Sequence, residues 1–192
     1  MTTRPTLQST FESATAESAD PTERTERLGR LFDTHQRRLF FLALRMAPDR
    51  EEARDLVQET FLRAARQPAA LPDGDGPGEA WLVRTLVNLC KDRYRRLAVR
   101  ARTAGRLSDA GGTAEPGTGH PEEAEVARAT VKAALTRLSP RRRAVIALHE
   151  LEGVPVRGIA RLLGITEVTV RWHLVAARRE LARLLSAGGE RS

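Results

Sequence analysis

The sequence predicts an all-α fold of two small helical domains, an N-terminal helical bundle and a C-terminal helix-turn-helix, joined by a flexible linker. Long stretches repeat their apolar residues with helical periodicity, and Gly and Pro cluster between these stretches. One such cluster, near the middle of the 192 residues, holds five Gly and two Pro and little apolar content. The predicted divisions are a disordered tail at 1–25, a first domain at 26–102, the linker at 103–121, a second domain at 122–186 and a tail at 187–192.

The first two predicted helices occupy residues 26–47 and about 50–67. The first is apolar on more than one side, which indicates that it lies between other elements. Asp49, followed three residues later by Glu52, is a capping-box pattern that starts the second helix. The outward stripe of the second helix mixes acids and an amide with Leu62. Such a stripe suits either a protein contact or an ordinary solvated face.

A third helix is predicted at residues 79–97, after a loop at 68–78 that is rich in Pro and Gly. Its polar positions recur at helical spacing on one side: Arg84, Asn88, Lys91 and Arg95. Four apolar positions lie roughly opposite: Leu82, Leu86, Leu89 and Leu97. The helix is therefore predicted to be buried on one face and basic on the other. Taken alone, this pattern fits a solvated surface helix as well as one that binds a polyanion.

Positive charge is concentrated in two blocks of a chain whose net charge is +7. Residues 79–102 carry seven Arg or Lys side chains against two acidic ones, and residues 139–192 carry ten Arg against five Glu. Solubility alone does not require such clustering. The simplest use of two separate basic blocks is polyanion binding at two places.

The C-terminal part has the pattern of a helix-turn-helix. Helices are predicted at 122–136 and from Pro140 to about 151, the second after a Ser-Pro start signal. A short helix from Val156 follows; Gly164 supplies the turn and Thr166 caps a long helix to about 185. The buried stripe of the long helix is Val170, Leu174, Ala177, Leu181 and Leu184. Plain helical hairpins share this pattern, so it does not by itself establish DNA binding.

Several functional classes lack support. The lone Cys90 lies on the less exposed side of its helix and is predicted to be a small core residue in a reducing cytoplasm. The four His are scattered without ligand spacing, so no metal, cofactor or Cys/His nucleophile pair is predicted. The sequence contains no phosphate loop and no nucleophile elbow, so an enzyme is not predicted. No signal peptide or long apolar run indicates insertion into a membrane.

The order of the motifs resembles the sigma-70 family of bacterial RNA polymerase sigma factors, in particular its extracytoplasmic-function (ECF) group. EEARDLVQETFLRA at 51–64 and AWLVRTLVNLCKDRYRR at 80–96 look like the family's second conserved region. LTRLSPRRRAVIALHELEGVPVRGIARLLGITEVTVRWHLVAARREL at 135–181 is similar to its fourth region. The likeness is specific because it needs both motifs in this order, separated by a linker.

The resemblance implies a sigma factor that binds core RNA polymerase and directs promoter recognition, DNA melting and transcription initiation. Its implied partners are core polymerase, promoter DNA and an anti-sigma factor. The implied polymerase contacts are Asp55, Leu56, Gln58, Glu59 and Leu62. The implied minus-ten DNA contacts are Arg84, Asn88, Lys91, Asp92, Arg95 and Arg96, with Asn88 at the position that contacts a flipped base. The implied minus-thirty-five contacts are Thr166, Glu167, Val168, Thr169, Arg171, Trp172, Val175 and Arg178.

The chain departs from the family's pattern in the helix-turn-helix. The DNA-facing side of its second helix is unusually apolar around Trp172, and Arg157-Gly158 replaces a common acidic pair. Val168 and Val175 suit thymine methyl groups, but the patch equally suits an inhibitor protein. Two alternatives therefore remain: a protein-interaction adaptor or decoy with weakened promoter reading, and a helix-turn-helix transcriptional activator, which leaves the motifs at 51–96 unexplained.

Overall fold

A computed structural model describes residues 21–103 and 122–189. Every regular element within these ranges is helical, which confirms the predicted all-α class. The predicted tail at 1–25 is wrong for residues 21–25, which open the first helix, and residues 1–20 lie outside the described ranges. Residue 103, placed in the linker by prediction, is helical; the rest of the predicted linker lies outside the described ranges.

The N-terminal half is built from three helices: α1 (Pro21–Met46), α2 (Arg50–Arg66) and α3 (Asp75–Thr103), with a short 3₁₀ turn at Pro68–Ala70. The predicted cap of α2 is confirmed, because the Glu52 N–H donates to Asp49 Oδ1 at 2.7 Å. α1 packs against both other helices, as its broad apolar surface predicted.

α3 is longer than predicted at both ends. It begins at Asp75 rather than residue 79. Pro77 does not prevent this, because it falls in the first turn, where the backbone N–H groups have no partner within the helix. Gly78 fits close to α1, since a Cβ there would lie 3.1 Å from Leu31 Cδ2. Leu97, predicted to be buried, is 52% exposed because the buried apolar positions of α3 end at Cys90.

The C-terminal half contains α4 (Glu122–Arg137), α5 (Pro140–Ile146), α6 (Val156–Leu163) and α7 (Glu167–Gly189). α5 continues as a π-helical turn at Ala147–Leu151. Its predicted Ser139 cap is only partly correct, because Ser139 stands at the N-cap without a side-chain capping bond. α7 extends past the predicted end of the domain, so residues 187–189 are helical rather than a tail.

The turn of the helix-turn-helix has the predicted geometry. Gly164 ends α6 in the left-handed region at φ 63°, which glycine adopts at little cost. Thr166 Oγ1 accepts a hydrogen bond from the Thr169 N–H at 3.1 Å and caps α7. Val170, Leu174 and Ala177 are buried as predicted, and Leu181 and Leu184 are partly buried.

The two halves share one hydrophobic core in this structure. Buried side chains of α1, α2 and α3 form a continuous cluster with residues of α5, α6 and the start of α7. α5 packs against α1 and α3, and α6 packs against α3. The sequence pattern did not predict this contact, since each amphipathic face shows only that it needs a partner and not which one.

Candidate nucleic-acid interface

The outer face of α2 carries most of the predicted polymerase contacts. Asp55, Gln58 and Leu62 are exposed, and Glu59 is half-buried beside Arg63, whose Nε lies 3.2 Å from Glu59 Oε1. Leu56 is 4% exposed and belongs to the core, so the prediction that it is a surface contact is corrected. It supports the helix from beneath while its neighbours form an acidic and amide ridge.

An apolar groove that sequence reasoning missed runs along one flank of this ridge, between α1 and α2. Phe32 and Phe61 form part of its wall, with ring centroids 4.9 Å apart in an edge-to-face arrangement. Phe32 is 42% exposed although it follows the apolar stripe of α1. Gln58 and Leu62 belong to both the ridge and the groove, so an occupant of the groove would also touch the ridge.

The polar face of α3 brings most of the predicted minus-ten residues together. Asn88 is exposed near the middle of the helix, with Asp92, Arg95 and Arg96 exposed one and two turns further on. Lys91 is half-buried on the same stretch. The result is one amide surrounded by cations on a rigid helix.

Arg93 is not a member of the predicted minus-ten set, and the structure gives it a role inside the N-terminal half. Its Nε lies 2.7 Å from Glu52 Oε1, which ties α3 to the first turn of α2. Burial raises the pKa of Glu52, and the nearby cations Arg93 and Arg143 act against that rise. This pair therefore positions the ridge of α2 relative to the polar face of α3.

Arg84 stands apart from the other minus-ten candidates. It is half-buried against the turn of the helix-turn-helix: a Cβ on Gly164 would lie 3.1 Å from Arg84 Nη1 and 3.3 Å from its Cδ. The C-terminal half thus covers part of the surface that the sequence assigned to the minus-ten element.

The start of α7 presents an exposed apolar strip. Val168 is 72% exposed, Trp172 58% and Val175 47%. The Arg142 guanidinium lies 5.4 Å from the centroid of the Trp172 ring, a cation–π contact that the sequence did not signal because the two residues are 30 positions apart. Thr166 is exposed, and Thr169 is half-buried with its hydroxyl 2.8 Å from that of Thr166.

The two arginines predicted to contact the minus-thirty-five element are both paired with acids. Arg171 Nη2 lies 2.9 Å from Glu167 Oε2, and Arg178 Nη2 lies 2.6 Å from Glu150 Oε1. The hydrogen bond from Arg178 lowers the pKa of Glu150. Exposed pairs of this kind contribute little to stability, so phosphate oxygens can replace the carboxylates.

The described residues were compared with the requirements of a reactive cysteine, a metal site and a membrane span. Cys90 is buried, and burial raises the pKa of its thiol to about 12, which keeps it protonated and unreactive. Among the described side chains, no group of His, Cys, Asp or Glu is arranged to hold a metal ion. Within the described ranges, no helix has both the length and the apolar character that crossing a bilayer requires.

Comparison with known families matches both halves. The profile of Sigma-70 region 2 matches residues 31–100, and that of Sigma-70, region 4 matches residues 128–181. The first covers α2 and the polar face of α3, and the second covers α6, the turn and α7 as far as residue 181.

Relatives of similar length are ECF sigma factors. SigL of Mycobacterium tuberculosis is 36% identical over 159 residues, which span 83% of this chain and 89% of SigL. SigM of the same bacterium is 35% identical over 155 residues, spanning 81% and 75%. The solved structure of RpoE from Bartonella quintana, in complex with the anti-sigma factor NepR, matches with a TM-score of 0.58 at 22% identity. The match covers 86% of this chain and 98% of RpoE, and it supports the fold. With both conserved regions present in order and close relatives along most of its length, the chain belongs to the ECF group of the sigma-70 family.

Proposed function

We propose that this sigma factor joins core RNA polymerase through α2, opens the minus-ten element with α3 and contacts the minus-thirty-five element with α7. The observation that carries the proposal is the exposed Asn88, surrounded by cations on a helix that follows the acidic ridge of α2. The working units are the two halves, at about 26–102 and 122–186. As a sigma factor the chain would act in the cytoplasm, where the bacterial chromosome lies.

The ridge of α2 suits a basic helical partner, such as the coiled coil of the polymerase's largest subunit. Asp55 and Glu59 supply negative charge, Gln58 supplies an amide, and Leu62 supplies an apolar anchor at 39% exposure. Charge complementarity speeds association and selects the partner, while the apolar anchor contributes affinity when the partner covers it.

The polar face of α3 suits a single strand with one base turned out of the stack. The Asn88 amide both donates and accepts hydrogen bonds, so it can read the edge of a base. Lys91, Arg95 and Arg96 lie where they can hold the phosphates on either side. Binding to the separated strand supplies the free energy of melting, so this subunit needs no covalent chemistry.

The start of α7 suits the major groove of duplex DNA. Arg171 and Arg178 can exchange their carboxylate partners for phosphates or guanine edges. Val168 and Val175 can contact thymine methyl groups, and Trp172 can pack against sugar or base edges.

Run-off transcription with purified core polymerase on a library of promoter fragments tests this function. We expect the chain to direct core polymerase to a small set of start sites that core alone does not use. Binding to core without any new transcript contradicts the proposal.

A second candidate function is favoured by the apolar strip on α7. Three exposed apolar side chains and two paired arginines also suit a protein partner, such as an anti-sigma factor. A decoy of this kind would bind core polymerase and give no new transcript. When a second sigma factor is added to the assay, the decoy would lower the transcription which that factor directs, and this separates it from a promoter-reading subunit.

A further inference from the structure

Trp172 is an exposed ring whose orientation is restrained by its neighbours. It is 58% exposed near the start of α7. The Arg142 guanidinium of α5 lies over the ring, with its Cζ 5.4 Å from the ring centroid. The imidazole of His173 meets the indole edge-to-face, with centroids 5.0 Å apart. Exposed side chains exchange rapidly among rotamers unless contacts restrain them, and these two contacts restrain Trp172.

Arg142 is itself held by a carboxylate on the same helix as the ring. Its Nη1 lies 2.7 Å from Glu180 Oε2, and the two side chains are 30% and 24% exposed. A guanidinium is planar, so it can bind a carboxylate along its edge while its face lies on an aromatic ring. Arg142 therefore bridges Trp172 and Glu180, which are about two turns of α7 apart.

His173 adds no competing charge to this cluster. Burial, followed by the nearby cations Arg141 and Arg142, lowers the pKa of His173. The imidazole is therefore neutral at neutral pH and does not repel the guanidinium that lies over Trp172. The contact between Arg142 and the indole is thus maintained under the conditions in which the chain would bind DNA.

The restrained ring lies in the middle of the apolar strip of α7. Val168, Trp172 and Val175 share one face of the helix, at the spacing i, i+4 and i+7. At ~100° per residue, Arg171 borders this strip on one side and Glu180 borders it on the other. Because Arg142 is bound to Glu180, it supports the ring from that second side.

The apolar group that duplex DNA offers to such a ring is the methyl group of thymine. Thymine displays its C5 methyl group in the major groove, where an α-helix fits. Van der Waals contact is largely lost when two surfaces separate by ~1 Å, so an indole must keep a defined orientation to pack against a methyl group. A ring that changed rotamers freely would distinguish the bases less.

We propose that Arg142 is a positioning residue for promoter reading, which holds Trp172 in the orientation in which the indole contacts a thymine methyl group of the minus-thirty-five element. The inference rests on the proposed function, because it requires α7 to enter the major groove. It adds a residue of α5 to a surface that the sequence assigned to α7 and to the turn before it.

Replacement of thymine by deoxyuridine tests the contact, because it removes the C5 methyl group and keeps the base pair. The probe is the minus-thirty-five duplex of a promoter selected by run-off transcription, with each thymine replaced in turn, and the protein is the holoenzyme. We expect wild type to prefer thymine at one position by about fourfold, the effect of burying one methyl group. Arg142→Met should lower this preference to less than about twofold, and Trp172→Ala should lower it at least as much. Fluorescence anisotropy of the labelled duplexes measures the preference.

Three further variants separate positioning from charge. Arg142→Lys should keep most of the preference, since an ammonium can also lie over the ring and pair with Glu180. Arg141→Met is the matched control: it removes the same charge one position earlier in α5, leaves Arg142 in place and should keep the wild-type preference. Glu180→Ala removes the support of Arg142 and should lower the preference, which keeps the test decisive if Arg142→Met does not fold.

The fluorescence of Trp172 gives a second measurement, on the free chain. Trp81→Phe leaves Trp172 as the single Trp of the sequence. In this background, time-resolved anisotropy should show little local motion of the indole. Arg142→Met should increase that motion and Arg142→Lys should not. Circular dichroism of each variant shows whether the helices are retained.

Three results overturn the positioning role: a thymine preference unchanged in a folded Arg142→Met, indole motion unchanged in the same variant, or a transcribing holoenzyme with no thymine preference at any position. If Arg142→Met lowers only the slope of log affinity against log salt, Arg142 is a phosphate contact instead, and the proposal is wrong. A chain that directs no transcript defeats the proposed function. The indole motion in the free chain still decides whether Arg142 holds the ring.

Discussion

Asn88 is the residue on which the proposed minus-ten contact depends most. Its side chain is exposed and does not pack in the core, so Asn88→Ala should leave folding and polymerase binding intact. We expect open complexes to fall about tenfold, since contacts to one captured base contribute ~1–3 kcal/mol. Permanganate footprinting of the melted strand measures the effect.

Gln67→Ala is a suitable control for this change, because it removes another exposed amide from the same half. It should melt the promoter normally. Equal melting by Asn88→Ala and the wild type removes Asn88 from the mechanism.

Arg171 tests whether α7 contacts duplex DNA. Arg171→Ala should weaken binding to a minus-thirty-five duplex and reduce the slope of log affinity against log salt by about one for one lost phosphate contact. Fluorescence anisotropy over a range of salt concentrations measures both quantities. Arg183→Ala removes an exposed cation three turns further along the helix and should change neither. An unchanged slope in Arg171→Ala favours the adaptor function.

At the scale of single elements, two glycines on different helices make opposite predictions. Gly164 ends α6 at φ 63°, so Gly164→Ala should lower the free energy of unfolding by ~1–2 kcal/mol, the cost of a left-handed L-residue. Gly29 lies inside α1 with nothing within 4 Å of an added Cβ. Gly29→Ala should therefore raise the free energy of unfolding by up to ~1 kcal/mol. Urea denaturation followed by circular dichroism measures both.

The departure at Gly158 has a physical reason at the same scale. A Cβ at this position of α6 would lie 2.9 Å from Val154 Cγ1 and 3.6 Å from two ring carbons of Pro155. Glycine therefore lets the segment that contains Val154 and Pro155, just before α6, pack tightly over the first turn of that helix. The sequence showed the substitution, but only the folded turn shows which neighbour requires it.

For the whole molecule, two histidines in different halves predict acid sensitivity. Burial, and then nearby arginines, lower the pKa of His35 and of His173. The unfolded chain takes up these protons at about pH 6.5 and the folded chain only at lower pH, so stability falls as pH drops below about 6.5. Urea unfolding at pH 7.5 and 5.5 should show this loss, and His35→Gln/His173→Gln should show less of it. The raised pKa of Glu52 has the opposite effect on stability as the pH falls. Because Glu52 is present in both the wild type and the double variant, its effect cancels when the two are compared.

The sequence by itself determined the helices, the order of the two conserved regions and most of the candidate surface residues. Periodicity placed Leu82 and Val170 in the core and Asn88 outside it because each depends on the face of a single helix. The prediction failed at Leu97 because α3 extends beyond the helices that pack against it, which leaves this side chain exposed. Local capping signals likewise placed Asp49 and Gly164 correctly, since their partners are three or four residues away.

Only the tertiary structure decided how the two halves meet. Arg143 looks like one of three consecutive arginines in the sequence, yet it alone is buried, and its partner Met46 is 97 residues away. The same holds for Glu152 and Arg38, which lie 114 residues apart. An amphipathic pattern indicates that the apolar face of a helix must be buried. It does not indicate which element buries that face, because the hydrophobic effect has no direction. The contact between the two halves and the covered Arg84 are therefore properties of the fold that no local pattern encodes.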